Sequence, residues 1–301
     1  MKSMPRLAGV CAAALTPLDA DLAPDTEALV GHLRRLLAGG CDAINLLGTT
    51  GEATSFSVEQ RLRVLEAVAA SGLPLEAIMV GTGAAALSDA VRLTRRATEL
   101  GYAGALVIPP FYYKNVGDDG VTAYYAALIE RVSDPRLRLY LYHFPAMSGV
   151  PITADAIARL RSAYGATIVG VKDSANAPGY AAGLVAQFAD LDVFPSTEAI
   201  LATARRDGFA GCISATVNVT AELAGSVWHA GEDDPQRASR QELLSAQRAT
   251  IGRFPLIPAL RHLMARRTDD DAWLRIVPPL RPLEARDAAE LDAELALEAV
   301  R

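Results

Sequence analysis

The chain has 301 residues, a formal net charge of −6 and a hydrophobic fraction of 51%, which is enough apolar side chain for one large core. Its basic residues are scattered, and this argues against a nucleic-acid partner because phosphate backbones are bound by clustered lysine and arginine. No apolar run has the length that crossing a membrane requires. The three cysteines, Cys11, Cys41 and Cys212, lie in apolar contexts without metal-binding spacing, and we interpret them as buried thiols of a cytoplasmic protein.

Short apolar runs alternate with longer amphipathic segments from the N-terminus onward. Eight runs have the near-continuous apolar character of parallel strands covered on both faces: residues 9–18, 43–48, 77–83, 104–110, 137–145, 167–174, 192–197 and 211–218. Segments of helical period between them start near residues 26, 57, 88, 120, 153, 178 and 198. This series predicts an α/β fold of the (β/α)8 TIM-barrel type. A doubly wound sheet is the alternative, but no glycine-rich phosphate loop follows any predicted strand.

The pattern changes in the last quarter of the chain, where only helical segments remain. We therefore predict a barrel over residues 1–219 that carries the active site. Residues 220–301 are predicted to hold the last barrel helix and a C-terminal helical extension packed on the barrel. No linker-like composition separates the two parts, so we expect one folding unit.

Lys172 is the sharpest chemical signal, because active sites of such barrels lie at the carboxyl ends of the strands. Alternation along the strand places Ile168, Gly170 and Lys172 on one face, and Gly170 is expected to leave space below the lysine stem. A lysine inside an apolar barrel loses hydration, which favours the neutral amine, and a neutral amine attacks a ketone to form a Schiff base. From this residue alone, a lysine that reaches solvent or pairs with a loop carboxylate is an equal alternative.

Two further strand ends carry groups that suit the same chemistry. Tyr142 ends the fifth predicted strand, and its phenol could move protons to and from a carbinolamine; a core tyrosine is the structural alternative. The loop "GTTGE" follows the second strand and contains Thr49 and Thr50. Two glycines that expose main-chain N–H groups beside two hydroxyls suit a carboxylate, although an ordinary turn has the same composition.

The segments "GTTGEATSFS", "PPFYYK", "YHFPAMSGVPI", "GVKDS" and "VPPLRPL" follow one another in this order. With them, essentially the whole chain resembles the dihydrodipicolinate synthase / N-acetylneuraminate lyase family of class I pyruvate-dependent aldolases. The resemblance implies that Lys172 forms the imine, that Tyr142 relays protons, and that Thr49 and Thr50 bind the carboxylate of pyruvate. It implies a tyrosine pair near the site, whose second member, Tyr113, often enters from a neighbouring subunit of a homotetramer built as a dimer of dimers. It implies no metal and no organic cofactor.

The resemblance also narrows the branch of the family. Met147 stands where the synthase branch has an arginine that clamps a second carboxylate, so the sequence argues against dihydrodipicolinate synthase. The sequence around Met147, residues 145–150, resembles that of the lyase branch and of aldolases that act on 2-keto-3-deoxy sugar acids. The acidic motif of sialate lyases after strand seven is reduced to Glu198, and Ala215 replaces a serine after strand eight. A smaller or less hydroxylated aldehyde half fits better, with Ser174, Glu198 and Met147 as candidate substrate contacts.

We therefore expect a Schiff-base-forming lyase that breaks or forms a carbon–carbon bond between pyruvate and an aldehyde. A 2-keto-3-deoxy sugar acid or a related 2-oxo acid is the expected substrate. A Schiff-base dehydratase acting on the same kind of acid is the first alternative. Dihydrodipicolinate synthase and a non-catalytic 2-oxo acid binding protein are less favoured.

Overall fold

The computed structural model describes residues 6–299, and side chains as far as residue 296. Eight parallel strands form one sheet, β1 (Gly9–Ala13), β2 (Ala43–Leu46), β3 (Ile78–Gly81), β4 (Gly104–Val107), β5 (Leu139–His143), β6 (Ile168–Asp173), β7 (Asp192–Pro195) and β8 (Gly211–Ser214). Their order in the sheet is β7-β6-β5-β4-β3-β2-β1-β8. The N–H of Ala210, just before β8, donates to the carbonyl of Val193 in β7 at 3.0 Å, so the sheet curves into a nearly closed barrel. The predicted (β/α)8 barrel is confirmed.

Eleven α-helices lie in the described part of the chain. They are α1 (Thr26–Ala38), α2 (Val58–Ala70), α3 (Leu87–Leu100), α4 (Asp118–Val132), α5 (Pro145–Ser148), α6 (Ala154–Tyr164), α7 (Tyr180–Gln187), α8 (Val217–Trp228), α9 (Arg237–Ile251), α10 (Leu256–Thr268) and α11 (Ala285–Ala299). Local sequence sets several of their starts. Asp25 accepts the Ala28 N–H at the start of α1, and Ser57 and Gln60 form a reciprocal capping box at the start of α2, which satisfies N–H groups that a helix leaves unpaired.

The connection after β7 differs from the prediction. The segment expected to begin a helix near residue 198 forms only a short 3₁₀ turn, Glu198–Ile200. The side chain of Gln241 in α9 explains the difference, because its amide donates to the Glu198 carbonyl at 3.2 Å and accepts the Ala202 N–H at 2.9 Å. An α-helix would pair these two main-chain groups with each other, so Gln241 takes the place of that hydrogen bond.

The interior of the barrel corrects the interpretation of Gly170. A Cβ atom at Gly170 would lie 2.7 Å from the ring of Tyr140, and one at Gly104 would lie 2.8 Å from the same ring. Both glycines therefore admit the fully buried Tyr140 side chain. The space that we expected beneath the stem of Lys172 is filled by this ring, because an aromatic side chain from β5 needs the room that two neighbouring strands leave.

The C-terminal helices pack at the carboxyl end of the barrel. Leu15, which follows β1, belongs to a buried cluster with Ile251, Leu260, Trp273 and Leu291 from the extension. The helical character predicted for the extension is therefore observed, whereas the boundary at residue 219 and the single folding unit stay predictions. No helix within residues 6–299 is both long and apolar enough to span a membrane.

His32 is buried with one ring nitrogen that has no hydrogen-bond partner among the described residues. Nε2 of His32 lies 2.8 Å from Oδ1 of Asn218. That oxygen also accepts the Leu15 N–H, while the Asn218 amide nitrogen donates to the carbonyls of Ala13 and Ala215. Nε2 must therefore carry the hydrogen, and Nδ1 is buried without a partner among the described residues. Burial lowers the pKa of His32 from 6.5 to about 4, because protonation would place an unpaired N–H in the core.

Acidification is expected to destabilise the protein through His32. A pKa that is lower in the folded state gives stability that is complete above pH 6.5 and is lost as the pH falls towards 4, by about 3 kcal/mol for this single group. Urea unfolding at pH 7 and pH 4.5 measures the effect. His32→Gln keeps a donor for Asn218 but does not titrate, so its free energy of unfolding should fall less between these pH values. Equal losses in the parent and the variant would contradict this assignment.

Candidate active site

Lys172 lies near the carboxyl end of β6, directly opposite Tyr142 of β5 in the strand register. Its side chain is 3% exposed, and Nζ lies 4.4 Å from the centre of the Tyr142 ring. Within residues 6–299 no hydrogen bond or ion pair joins the Lys172 amine to another group. The aromatic face therefore fixes the position of the amine while its polar contacts stay open to a bound molecule.

The loop after β2 brings the two predicted threonines to the same place. Oγ1 of Thr49 lies 3.3 Å from the hydroxyl of Tyr142, and Thr50 is buried beside it. Leu47 and Glu52 both have a φ of 53°, so a left-handed residue on each side turns the loop sharply. The main-chain N–H groups of Thr49 and Thr50 have no acceptor in the described part of the chain. Free main-chain donors beside hydroxyls are the kind of groups that bind anions in proteins.

One cleft of about 690 Å³ unites most of the predicted site. Six of the eight candidate residues line it, namely Lys172, Tyr142, Thr49, Thr50, Ser174 and Met147. The opposite wall comes from the start of α10 and from the segment that precedes α11. The volume lies in the range of sites for small molecules, and the C-terminal extension supplies part of its surface.

Glu198 is placed behind the cleft rather than in it. Its fully buried carboxylate accepts hydrogen bonds from Ser214, Thr216 and Arg248, with Arg248 Nη1 at 2.8 Å. Arg248 also donates to the Ser196 carbonyl at 2.9 Å and itself lines the cleft. The carboxylate predicted to contact substrate is thus already satisfied, and an arginine from α9 takes its place on the wall.

Tyr113 lies outside the cleft of its own chain. Its side chain is 76% exposed, and that of Tyr112 is 77% exposed, with the two rings edge to face at 5.3 Å. A second cavity of about 130 Å³ lies next to Tyr142 and is also bounded by Phe111 and Met147. The exposed pair therefore makes no contribution to the site of an isolated chain.

The sequence did not identify every group at the cleft. Arg248, Asn176, Ser196 and Arg281 line it as well. Asn176 follows β6 and could have been found by extending the search past that strand end. Ser196 lies within residues 192–197, the predicted seventh strand, but was not chosen as a candidate contact. Arg248 and Arg281 come from the extension, where no strand marks their position.

His143, which follows Tyr142 in β5, has a structural role. Nδ1 of His143 accepts the Ile152 N–H at 3.0 Å, and its ring stacks on Tyr180 at 4.1 Å. Burial lowers the pKa of His143 to about 4, so the ring is neutral near pH 7.

Within residues 6–299 no group of three or more His, Cys, Asp or Glu side chains is arranged to hold a metal ion.

Comparisons with a family model, with related proteins and with solved structures all point to the same protein family. The model of the dihydrodipicolinate synthetase family matches residues 6–297. An uncharacterized DapA-like lyase of Chloroflexus aurantiacus is 37% identical over 287 residues, which cover 95% of each chain. A 4-hydroxy-tetrahydrodipicolinate synthase of Trichlorobacter lovleyi is 30% identical over 262 residues, 85% of this chain and 87% of that protein. The crystal structure of dihydrodipicolinate synthase from Agrobacterium tumefaciens matches with a TM-score of 0.87 and 28% identity, over 96% of this chain and 98% of that chain.

The barrel and these comparisons define a carbon–carbon lyase of the class I aldolase type. The chain belongs to the dihydrodipicolinate synthetase family. Family members bind pyruvate and aldehyde substrates. The resemblance and the enzyme class predicted from the sequence are therefore confirmed.

Proposed function

We propose that this lyase forms a Schiff base between Lys172 and a 2-oxo acid and then splits the acid into pyruvate and an aldehyde. The observation that carries the proposal is the buried Lys172 amine, which faces the cleft beside the Tyr142–Thr49 pair. The carboxylate of the acid would lie on the free N–H groups and hydroxyls of Thr49 and Thr50. That position would hold the neighbouring C2 carbonyl in reach of Nζ, which removes much of the entropic barrier to attack.

The reaction then needs one proton carrier. Nζ adds to C2, and the Tyr142 hydroxyl protonates the departing oxygen, so water and an iminium ion form. The iminium accepts the electron pair of the C3–C4 bond, while the C4 hydroxyl returns its proton to the Tyr142 oxygen and becomes an aldehyde. The resulting enamine takes a proton at C3 from the Tyr142 hydroxyl, which gives the iminium ion of pyruvate. Water then attacks C2 and gives a proton to the Tyr142 oxygen, and the carbinolamine collapses to pyruvate and the free lysine.

The part of the cleft wall formed by Met147 and Arg248 favours a hydroxylated acid over one with a second carboxylate at that place. The Met147 thioether cannot hold a carboxylate, and the charge of Arg248 is paired with Glu198. Ser174, Asn176 and Ser196 offer hydrogen-bonding groups on one side of the cleft. We therefore propose a 2-keto-3-deoxy sugar acid as substrate, although two of the relatives compared are named as synthases.

We also propose that the chain works as a homotetramer in which Tyr113 of a second copy approaches the cavity next to Tyr142. The 76% exposure of Tyr113 supports this, because large aromatic side chains are costly to leave in water. Sedimentation velocity should give four chains per particle. Tyr113→Ala should shift the distribution towards smaller species, and a monomeric parent would contradict the proposal.

The decisive experiment is reduction with borohydride in the presence of pyruvate, followed by peptide mass spectrometry. Only three lysines, Lys2, Lys114 and Lys172, are present, so the site of a reduced adduct is easily assigned. The proposal expects the adduct on Lys172 and the release of pyruvate from a 2-keto-3-deoxy acid. A product with an intact carbon chain would indicate a dehydratase instead. Folded protein without any adduct from pyruvate or other 2-oxo acids would overturn the Schiff-base mechanism.

A further inference from the structure

The last residue of the "GTTGE" loop turns away from the cleft. Glu52 is 3% exposed and lies two residues after Thr50. Its Oε1 accepts hydrogen bonds from Nε and Nη2 of Arg261, with the Nε contact at 2.8 Å. Its Oε2 accepts the Val277 N–H at 3.1 Å. The carboxylate therefore belongs to a buried polar cluster between the loop and the C-terminal extension.

Arg261 is the centre of this cluster. It comes from α10, 209 residues after Glu52 in the chain, and is 1% exposed. Besides Glu52, its guanidinium donates to the carbonyl of Thr16 at 2.8 Å and to that of Trp273 at 3.3 Å. One side chain thus connects the loop after β2, the segment after β1 and the extension. A planar guanidinium with five donors in fixed directions suits such a junction, whereas a lysine does not.

The segment after β1 also holds the loop in place. The Thr16 hydroxyl donates to the Gly51 carbonyl at 2.9 Å, and a Cβ atom at Gly51 would lie 2.9 Å from the Ala14 carbonyl oxygen. Glu52 has a φ of 53°, a conformation that a residue with a side chain adopts only when its surroundings enforce it. The contacts with Arg261 are the surroundings that this structure provides.

We propose that Arg261 is a positioning residue for the carboxylate pocket formed by Thr49 and Thr50. Through Glu52 it holds the left-handed turn that directs the N–H groups of both threonines into the cleft. Without the guanidinium, Glu52 would be a buried carboxylate with one remaining donor, and its move towards water would release the turn. This inference rests on the proposed function, since the pocket must bind a 2-oxo acid for its position to matter.

The test is the pyruvate dependence of borohydride trapping in Arg261→Met, Arg261→Lys and Glu52→Gln. The concentration of pyruvate for half-maximal trapping should rise at least about tenfold in Arg261→Met, because a misplaced donor pair loses a charge-assisted contact. Arg261→Lys and Glu52→Gln should give intermediate increases. The amount of adduct formed per chain at saturating pyruvate measures the fraction of sites that are folded and able to react. A purely structural role would lower that count and leave the half-maximal concentration unchanged.

Arg267→Met is the matched control. Arg267 lies on the same helix, is 46% exposed and pairs with Glu222, so its removal should change neither quantity. If Arg261→Met does not fold, the two milder variants decide the question. Half-maximal concentrations within twofold of the parent in all folded variants would overturn the positioning role. Failure of the parent itself to form an adduct would instead overturn the proposed function, so the two failures are distinguishable.

Discussion

Lys172→Ala is expected to lower kcat by about 10⁴-fold or more, the scale of loss that follows removal of the nucleophile from a covalent mechanism. The amine faces the cleft next to Tyr142, and within residues 6–299 the other lysine, Lys114, donates to the Ser148 carbonyl at 2.9 Å instead. No second amine can therefore take over the attack on C2. Pyruvate release from a 2-keto-3-deoxy acid, followed with a coupled assay, measures the change.

Lys114→Ala is the control for this variant. It removes an amine of the same kind from a loop position, so the borohydride adduct on Lys172 should persist. Lys172→Ala should still bind pyruvate weakly through Thr49 and Thr50, since the carboxylate pocket does not depend on the amine. Turnover by Lys172→Ala within tenfold of the parent would leave the lysine without a catalytic role.

Tyr142→Phe is expected to lower kcat by about 10²- to 10⁴-fold, the usual contribution of general acid–base catalysis. The ring that packs against the Lys172 amine is kept, while the hydroxyl 3.3 Å from Thr49 Oγ1 is lost. Because only proton transfer is impaired, the KM for substrate should change much less than kcat. The rate of adduct formation in single-turnover trapping should fall together with kcat.

Tyr140→Phe provides a matched comparison on the same strand. Tyr140 is fully buried and lies outside the cleft, so loss of its hydroxyl should leave kcat within about threefold of the parent. Equal effects of the two substitutions would mean that packing rather than proton transfer explains the role of Tyr142.

The sequence predicted the groups carried by strands better than those carried by the extension. Lys172, Tyr142 and the two threonines each follow or end an apolar run, and parallel strands bring their carboxyl ends together at one face. Arg261 and Arg248 reach this face from helices whose packing the local pattern does not encode. Their partners, Glu52 and Glu198, are 209 and 50 residues away, so neither pair leaves a periodic signal.

Two predictions from the sequence fail for the same physical reason. A helix was expected near residue 198, but the amide of Gln241 takes over its first main-chain hydrogen bond. Space was expected beside Gly170, but the Tyr140 ring occupies it. In both places a side chain from elsewhere in the fold decides the outcome, and local propensity cannot include such a contact.

The position of the Tyr140 ring bears on the route by which small molecules reach and leave Lys172. Together with Phe194, whose ring centre lies 6.3 Å away, it belongs to the buried cluster that fills the barrel interior beside Gly170. Every molecule that reaches the lysine must then use the open end of the cleft. In the proposed reaction, the aldehyde would leave by the same route through which the hydrolytic water enters, so release of the aldehyde would precede hydrolysis of the imine.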